Sequence, residues 1–218
     1  MKAILVPVKD PANAKTRLST LLTAGERQGL AVAMFEDVLS SLAGVTKADG
    51  IFIVTSFLDA AGRAKDMGFE TILEERQVSE SASVDAASIQ LAELGFDVVM
   101  RLPADIPLVR ADDVDGLLAS DLGAPATVMV PSHDGTGTNC LIRTPGPLFP
   151  SRFGPNSLAL HKEEAARVGS RVAVIDNERI GLDIDDQSDI ERFLQLGQGT
   201  GAFQFLRELG LAKRLPCR

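Results

Sequence analysis

The sequence predicts a three-layer α/β/α fold around a mostly parallel, Rossmann-like sheet. Short apolar runs bounded by turn residues alternate with segments of helical periodicity, the pattern left by repeated β-α-β winding. The first run, Ala3 to Val8, is apolar throughout, as a buried strand is. At 218 residues, 45% of them hydrophobic and 24% charged, the chain is expected to form one domain spanning residues 1–218.

The elements follow in order. Thr23 and Glu26 make a capping-box pattern, after which Leu30, Met34, Val38 and Leu42 recur at helical spacing until Gly44 stops the helix. A strand is expected at Ile51 to Thr55 with a helix behind it, then a short strand at Thr71 to Leu73. A helix from Val84 to Leu94 leads into the strand Val98 to Leu102. Beyond Pro107 the pattern is less regular: a short helix at Val114 to Leu118, strands at Thr127 to Val130 and Cys140 to Arg143, and a Pro/Gly-rich stretch from Thr144 to Pro155. So long an irregular insert points to a working loop rather than a spacer. A helix at Leu158 to Val168, a strand at Val172 to Ile175, an amphipathic helix at Asp189 to Leu196 and a closing helix at Ala202 to Leu211 complete the chain.

Charge and composition narrow the partners. The 22 basic and 30 acidic side chains leave a net charge of -8, which repels a nucleic-acid backbone, so no nucleic-acid partner is expected. No apolar run reaches the roughly 20 residues that cross a bilayer, and the start lacks the form of a secretory signal, so no membrane partner and a cytoplasmic location are expected. Cys140 and Cys217 belong to no metal-binding spacing and read as reduced structural thiols. His133 and His161 fit no zinc pattern, and His161 reads as a partly exposed histidine on a helix surface; neither is assigned a role.

Four segments carry chemistry. The first strand runs into Lys9, Lys15 and Arg17, three cations within nine positions at the carboxyl end of a strand, the edge at which open α/β sheets bind ligands. Arg grips phosphate oxygens bidentately and Lys acts as a mobile point charge, so the trio suits a triphosphate; no Walker-type phosphate loop is present. The second segment is Leu102-Pro103-Ala104-Asp105-Ile106-Pro107-Leu108, whose two prolines present Asp105 rigidly at the same edge, where a carboxylate can hold magnesium. The third runs from Gly181 to Ile190 and reads as a strand end followed by a helix start. Strand alternation would put Asp183 and Asp185 on one face, either of them able to complete the magnesium site, while Asp186 and Asp189 serve the helix terminus. The fourth joins Asp134-Gly135-Thr136-Gly137-Thr138-Asn139 to Phe153-Gly154-Pro155-Asn156-Ser157, small residues that let amides approach an anion, with Ser157 at a helix N-terminus.

These segments, in this order, resemble the 2-phospholactate guanylyltransferase family, which belongs to the nucleotide-diphospho-sugar transferase (MobA-like) fold and makes a guanylylated intermediate of coenzyme F-420. The resemblance runs from Val6 to about Leu194. It implies a guanylyltransferase that moves GMP from GTP to a small phosphorylated acid: phosphoenolpyruvate, 2-phospho-L-lactate or 3-phospho-D-glycerate. It also implies magnesium held by Asp105 and an acid of the Asp183/Asp185 pair, acceptor contacts from Thr138, Gly154 and Ser157, and nucleotide contacts from Lys9, Lys15, Arg17 and the helix carrying Asp85. Relatives often show Leu-Asn where this chain has Val84-Asp85. Two other readings stay open, a molybdopterin- or sugar-phosphate nucleotidyltransferase and a catalytically silent nucleotide-binding module. The first usually carries a Gly-rich loop that residues 9–17 lack; the second has no need to keep Lys15, Arg17, Asp105 and Asp183 together. The oligomeric state is left open, a homodimer being one option.

Overall fold

The structure, a computed structural model, describes residues 1–120 and 122–215, with the backbone alone for Asn13. Strand β1 (Lys2–Val8) lies near the middle of a seven-stranded sheet of order β3-β2-β1-β4-β6-β5-β7. It pairs in parallel with β2 (Gly50–Thr55) on one side and β4 (Val98–Arg101) on the other, and β3 (Glu70–Leu73) extends the β2 edge in parallel. Residues Ala3 to Val6 have no exposed surface. Their alternation explains the layers: Ile4, Val6 and Val8 face one core cluster, whereas Ala3 and Leu5 face another. Helix α1 (Ala24–Leu42) covers the first face and α3 (Glu80–Glu93) the second.

The expected elements are present, with informative differences at their ends. The Thr23/Glu26 capping box opens α1. Helix α2 (Leu58–Asp66) follows β2. Helix α3 starts at Glu80, four residues before the apolar periodicity begins, because the Ser79 side chain caps the Ala82 amide over a polar first turn. Helix α4 (Ala111–Leu118) leads to β5 (Ala126–Pro131) and β6 (Thr138–Thr144). Strand β6 runs against both β4 and β5 and is the one reversed strand of the sheet. Beyond it come α5 (Ser157–Arg167) and the edge strand β7 (Arg171–Val174), which pairs with β5.

One expectation needs correction: the segment around Asp183 is not a strand end. Asn177 caps a short helix, α6 (Glu178–Gly181), after which residues 182–185 run extended outside any sheet. Their one backbone link to the sheet edge is the Ile184 amide on the Asp105 carbonyl at 3.2 Å. Helix α7 (Gln187–Leu196) then begins with a capping box between Asp186 and Asp189. The closing helix α8 (Gly201–Glu208) finds its partner in α1: Asp37 accepts from the Gly201 and Ala202 amides, and Gly29 leaves room for the Phe205 ring, which a Cβ there would meet at 2.6 Å. Cys140 is buried in the core, where burial pushes its thiol up to about 12; Cys217 lies outside the described residues. Among the described residues no helix is long and apolar enough to cross a membrane.

Candidate active site

A cleft of about 890 Å³ opens at the carboxyl ends of β1 and β4. Because β6 is reversed, its beginning rather than its end reaches this edge. Extending the Arg101-to-Leu141 register upward places Asn139 and Thr138 level with the turn that carries Asp105. The cleft thus draws on the loops after β1 and β4, the start of β6, the loop before α5 and the segment before α7.

At one end the charged residues converge. Lys15 Nζ stands 2.5 Å from Asp105 Oδ2 and 2.7 Å from Asp185 Oδ1, with its side chain 8% exposed. Burial works against its charge, but the two carboxylates outweigh that and hold its pKa above the usual lysine range. For Asp105 the balance is the mirror image: burial pushes the carboxyl up, and Lys15 brings it below the ordinary value. Asp183 forms no ion pair among the described residues. Burial first, and then the charge of Asp105, push it up to about 6, while Asn139 Nδ2 donates to it at 3.0 Å. Lys15 also holds a left-handed backbone (φ 53°), an uncommon state for a residue with a side chain. The other non-glycine residue in that state among the described residues, Asn156, lines the same cleft.

The donor set here is all oxygen, which suits a hard divalent cation. Asp105 Oδ1 is buried and has no hydrogen-bond partner. Yet among the described residues no three His, Cys, Asp or Glu side chains stand together as a ready metal cage; Lys15 lies between two of the acids. A cation held by Asp105, Asp183 or Asp185 would therefore take most of its shell from ligand oxygens. Arg17, on a 3-10 turn at Thr16–Leu18, is exposed in the cleft and forms no ion pair among the described residues. Lys9, exposed at the cleft wall, stands 3.7 Å from Glu80.

At the other end neutral groups stand beside the Arg101–Glu80 ion pair. Thr138, Gly154 and Ser157 all line this end, Gly154 with a φ of 128° that disfavours any side chain and Ser157 as the first residue of α5. Asp85, expected at the nucleotide, is not among the lining residues. Its carboxylate accepts from the Ser151 amide and hydroxyl and pairs with Arg143 at 3.2 Å, tying α3 to the loop that follows β6. Asp186 and Asp189 cap α7 as anticipated.

Three further residues belong to the site. Arg101, 6% exposed, pairs with Glu80, donates to the Thr138 and Asn139 carbonyls and lies over the Phe153 ring at 4.3 Å. Asn139 Nδ2 reaches the Ile180 and Gly181 carbonyls, both at 3.0 Å, as well as Asp183, fastening the acidic segment to β6. His161, expected on a helix surface, has no exposed surface at all. An arginine at the end of an apolar strand was the available signal for Arg101, and Asn139 closes the Asp134–Asn139 segment already singled out; the burial of His161 shows only in three dimensions.

Comparison with known proteins agrees with this geometry. The family model described as guanylyl transferase CofC like matches residues 1–215. Among curated relatives, the 2-phospho-L-lactate guanylyltransferase of Methanothermobacter thermautotrophicus is 34% identical, covering 94% of this chain and 89% of that protein. The phosphoenolpyruvate guanylyltransferase of Roseiflexus castenholzii is 32% identical, covering 96% and 95%. A solved structure of a putative nucleotide-diphospho-sugar transferase from Desulfovibrio desulfuricans superimposes with a TM-score of 0.80 at 19% identity, covering 98% of this chain and 97% of that one, which establishes a common fold. A match that spans nearly the whole chain, on top of the converged Lys15, Asp105 and Asp185, leaves one conclusion: the chain belongs to the CofC-like guanylyl transferase family of nucleotidyltransferases.

Proposed function

We propose that this chain, acting as one cytoplasmic nucleotidyltransferase domain, moves GMP from GTP to a small phosphorylated three-carbon acid and releases pyrophosphate, as a step toward coenzyme F-420. The observation that carries the reading is one cleft in which Lys15 and its carboxylates stand at one end and the hydroxyl and backbone groups of Thr138, Gly154 and Ser157, beside Arg101, stand at the other, in a chain of this family. The relatives are named for 2-phospho-L-lactate and phosphoenolpyruvate, and 3-phospho-D-glycerate shares their chemistry.

An acceptor phosphate oxygen attacks the α-phosphorus in line, a new P–O bond forms, and the bond to the bridging oxygen of the β-phosphate breaks. The nucleophile is already an anion, so no general base is required. The obstacle is electrostatic, since two anions must meet while charge builds on the departing pyrophosphate. Arg17 and Lys9, free of tight ion pairs, meet the triphosphate. Lys15 trades its carboxylates for phosphate oxygens. Asp105, with Asp183 or Asp185, would hold Mg²⁺, which when bound supplies neutralisation of phosphate charge. Thr138, Ser157 and the Gly154 backbone orient the acceptor.

The test is a matrix of the four nucleoside triphosphates against phosphoenolpyruvate, 2-phospho-L-lactate, 3-phospho-D-glycerate and a set of sugar phosphates, with product masses measured. The expected result is pyrophosphate release from GTP only when one of the acids is present. Transfer to sugar phosphates alone, or no turnover with any pair, would overturn the reading.

A further inference from the structure

His161 sits on the second turn of α5, out of contact with solvent, with the Phe153 ring edge-on at 4.9 Å and the Phe149 ring tilted at 6.4 Å. Its two nitrogens have different partners. Nε2 lies 2.8 Å from the Arg152 backbone nitrogen, and Nδ1 lies 3.0 Å from Thr138 Oγ1. A backbone N–H can only donate, so Nε2 must offer a lone pair. A neutral imidazole carries one proton, which then resides on Nδ1 and points at the threonine oxygen. The ring is kept neutral by burial and, after that, by the charges of Arg143 and Arg101, which together bring its pKa down to about 3.

Thr138 inherits the consequence. Its oxygen accepts from His161 and has no other hydrogen-bond partner among the described residues, so its own proton is free to donate. Thr138 lines the cleft at the neutral end. A backbone amide has thus set the tautomer of a buried ring, and the ring in turn takes up one lone pair of the Thr138 hydroxyl and leaves its proton free.

We propose that His161 is a positioning residue that, as the Nδ1–H tautomer, anchors the Thr138 oxygen through one lone pair and leaves the Thr138 proton free to donate into the cleft, to an anionic carboxylate or phosphate oxygen on the acceptor. The donation half rests on the acceptor reading above; the tautomer half does not.

Two measurements test it. In ¹⁵N-labelled wild-type protein without ligand, long-range proton–nitrogen correlation should show a protonated Nδ1 and a bare Nε2 for His161 from about pH 5 to 8, His133 being the only other histidine to separate. The reverse tautomer, or an imidazolium, overturns the proposal without reference to any substrate. In kinetics, His161→Gln should raise KM for the acid about tenfold, the loss expected for one misdirected hydrogen bond to a charged group, with KM for GTP within about twofold. His161→Asn, whose amide falls near the Nδ1 position, should recover most of that. Thr138→Val should match His161→Gln, and the double variant should be no worse than Thr138→Val alone. Multiplied effects in the double variant, or equal loss in both KM values, would mean that the ring merely supports the fold. Absence of any acid-dependent turnover in the wild type would overturn the acceptor role while leaving the tautomer result intact.

Discussion

The two ends of the cleft are made of different materials. Around Lys15 the contacts are ionic, short and exchangeable: a buried cation shared by two carboxylates, a third carboxyl pushed up to about 6, and an orphaned oxygen on Asp105. Around Thr138 they are hydrogen-bonded and locked: amide, imidazole and hydroxyl join in a single chain, and Arg101, paired with Glu80, donates to the Thr138 carbonyl. The contrast teaches how one cavity can treat two anionic reactants differently. A triphosphate with its cation needs partners that can let go of one another, whereas a small acid needs a fixed template.

Substitution should expose this difference. The largest effect is expected from Asp105→Asn, which keeps the shape and removes the charge: turnover, followed by pyrophosphate release, should fall at least about a hundredfold, or roughly 3 kcal/mol of transition-state stabilisation. Activity within a few-fold of wild type would remove Asp105 from the metal and phosphate chemistry. Next is Lys15→Met, for which kcat/KM for GTP should drop about tenfold or more. Without nucleotide its melting temperature should fall by about 5 °C, because Asp105 and Asp185 face each other uncompensated, and millimolar MgCl2 should restore more of that loss than it adds to wild type. An equal response of both proteins to magnesium would count against a cation seat there.

A smaller and qualitatively different change is expected at the neutral end. Ser157→Ala should raise KM for the acid about fivefold, leave KM for GTP alone and show no dependence on magnesium concentration. A shift in GTP affinity instead would dissolve the distinction between the ends. The smallest effect concerns pH. The Asp183 carboxyl titrates near 6 in the folded chain, above its ordinary value of 3.8, so the native state holds its proton more tightly. Stability from this group is therefore full below about pH 4 and is lost as pH rises through about 6. In metal-free buffer Asp183→Asn should melt about 3 °C higher than wild type at pH 7.5 and equally at pH 4. A lower melting temperature at pH 7.5 would show that the carboxylate is stabilised by its surroundings.

The ends also differed in how far they could be read from the chain. Lys15, Arg17 and Asp105 were legible because each lies in the loop that leaves an apolar strand, and strand ends fix the edge at which side chains gather. Asp183 and Asp185 reach the cleft as expected but for another reason: they ride on an extended segment held by Asn139 and the Asp105 carbonyl, not on a strand. The neutral end was harder to read. His161 looks like any helical histidine until α5 folds back over Phe149 and Phe153, and its partner Thr138 is 23 residues away. Asp85, which the family resemblance put among the nucleotide contacts, is instead engaged by Arg143 and Ser151, both distant in sequence. Long-range pairing of polar groups leaves no periodic trace.

The reversal of β6 carries a consequence for how such a protein can change. Strands β1 and β4 deliver their working residues at the finish of a run, in the loops that lead on to helices. Strand β6 instead enters the working edge straight out of the 132–137 turn, before any ladder has begun. Additions or deletions in that turn would resize the chamber for the small acid while the seat for the triphosphate, anchored behind β1 and β4, stayed where it was, so that one reactant's pocket is free to diversify under a constant partner.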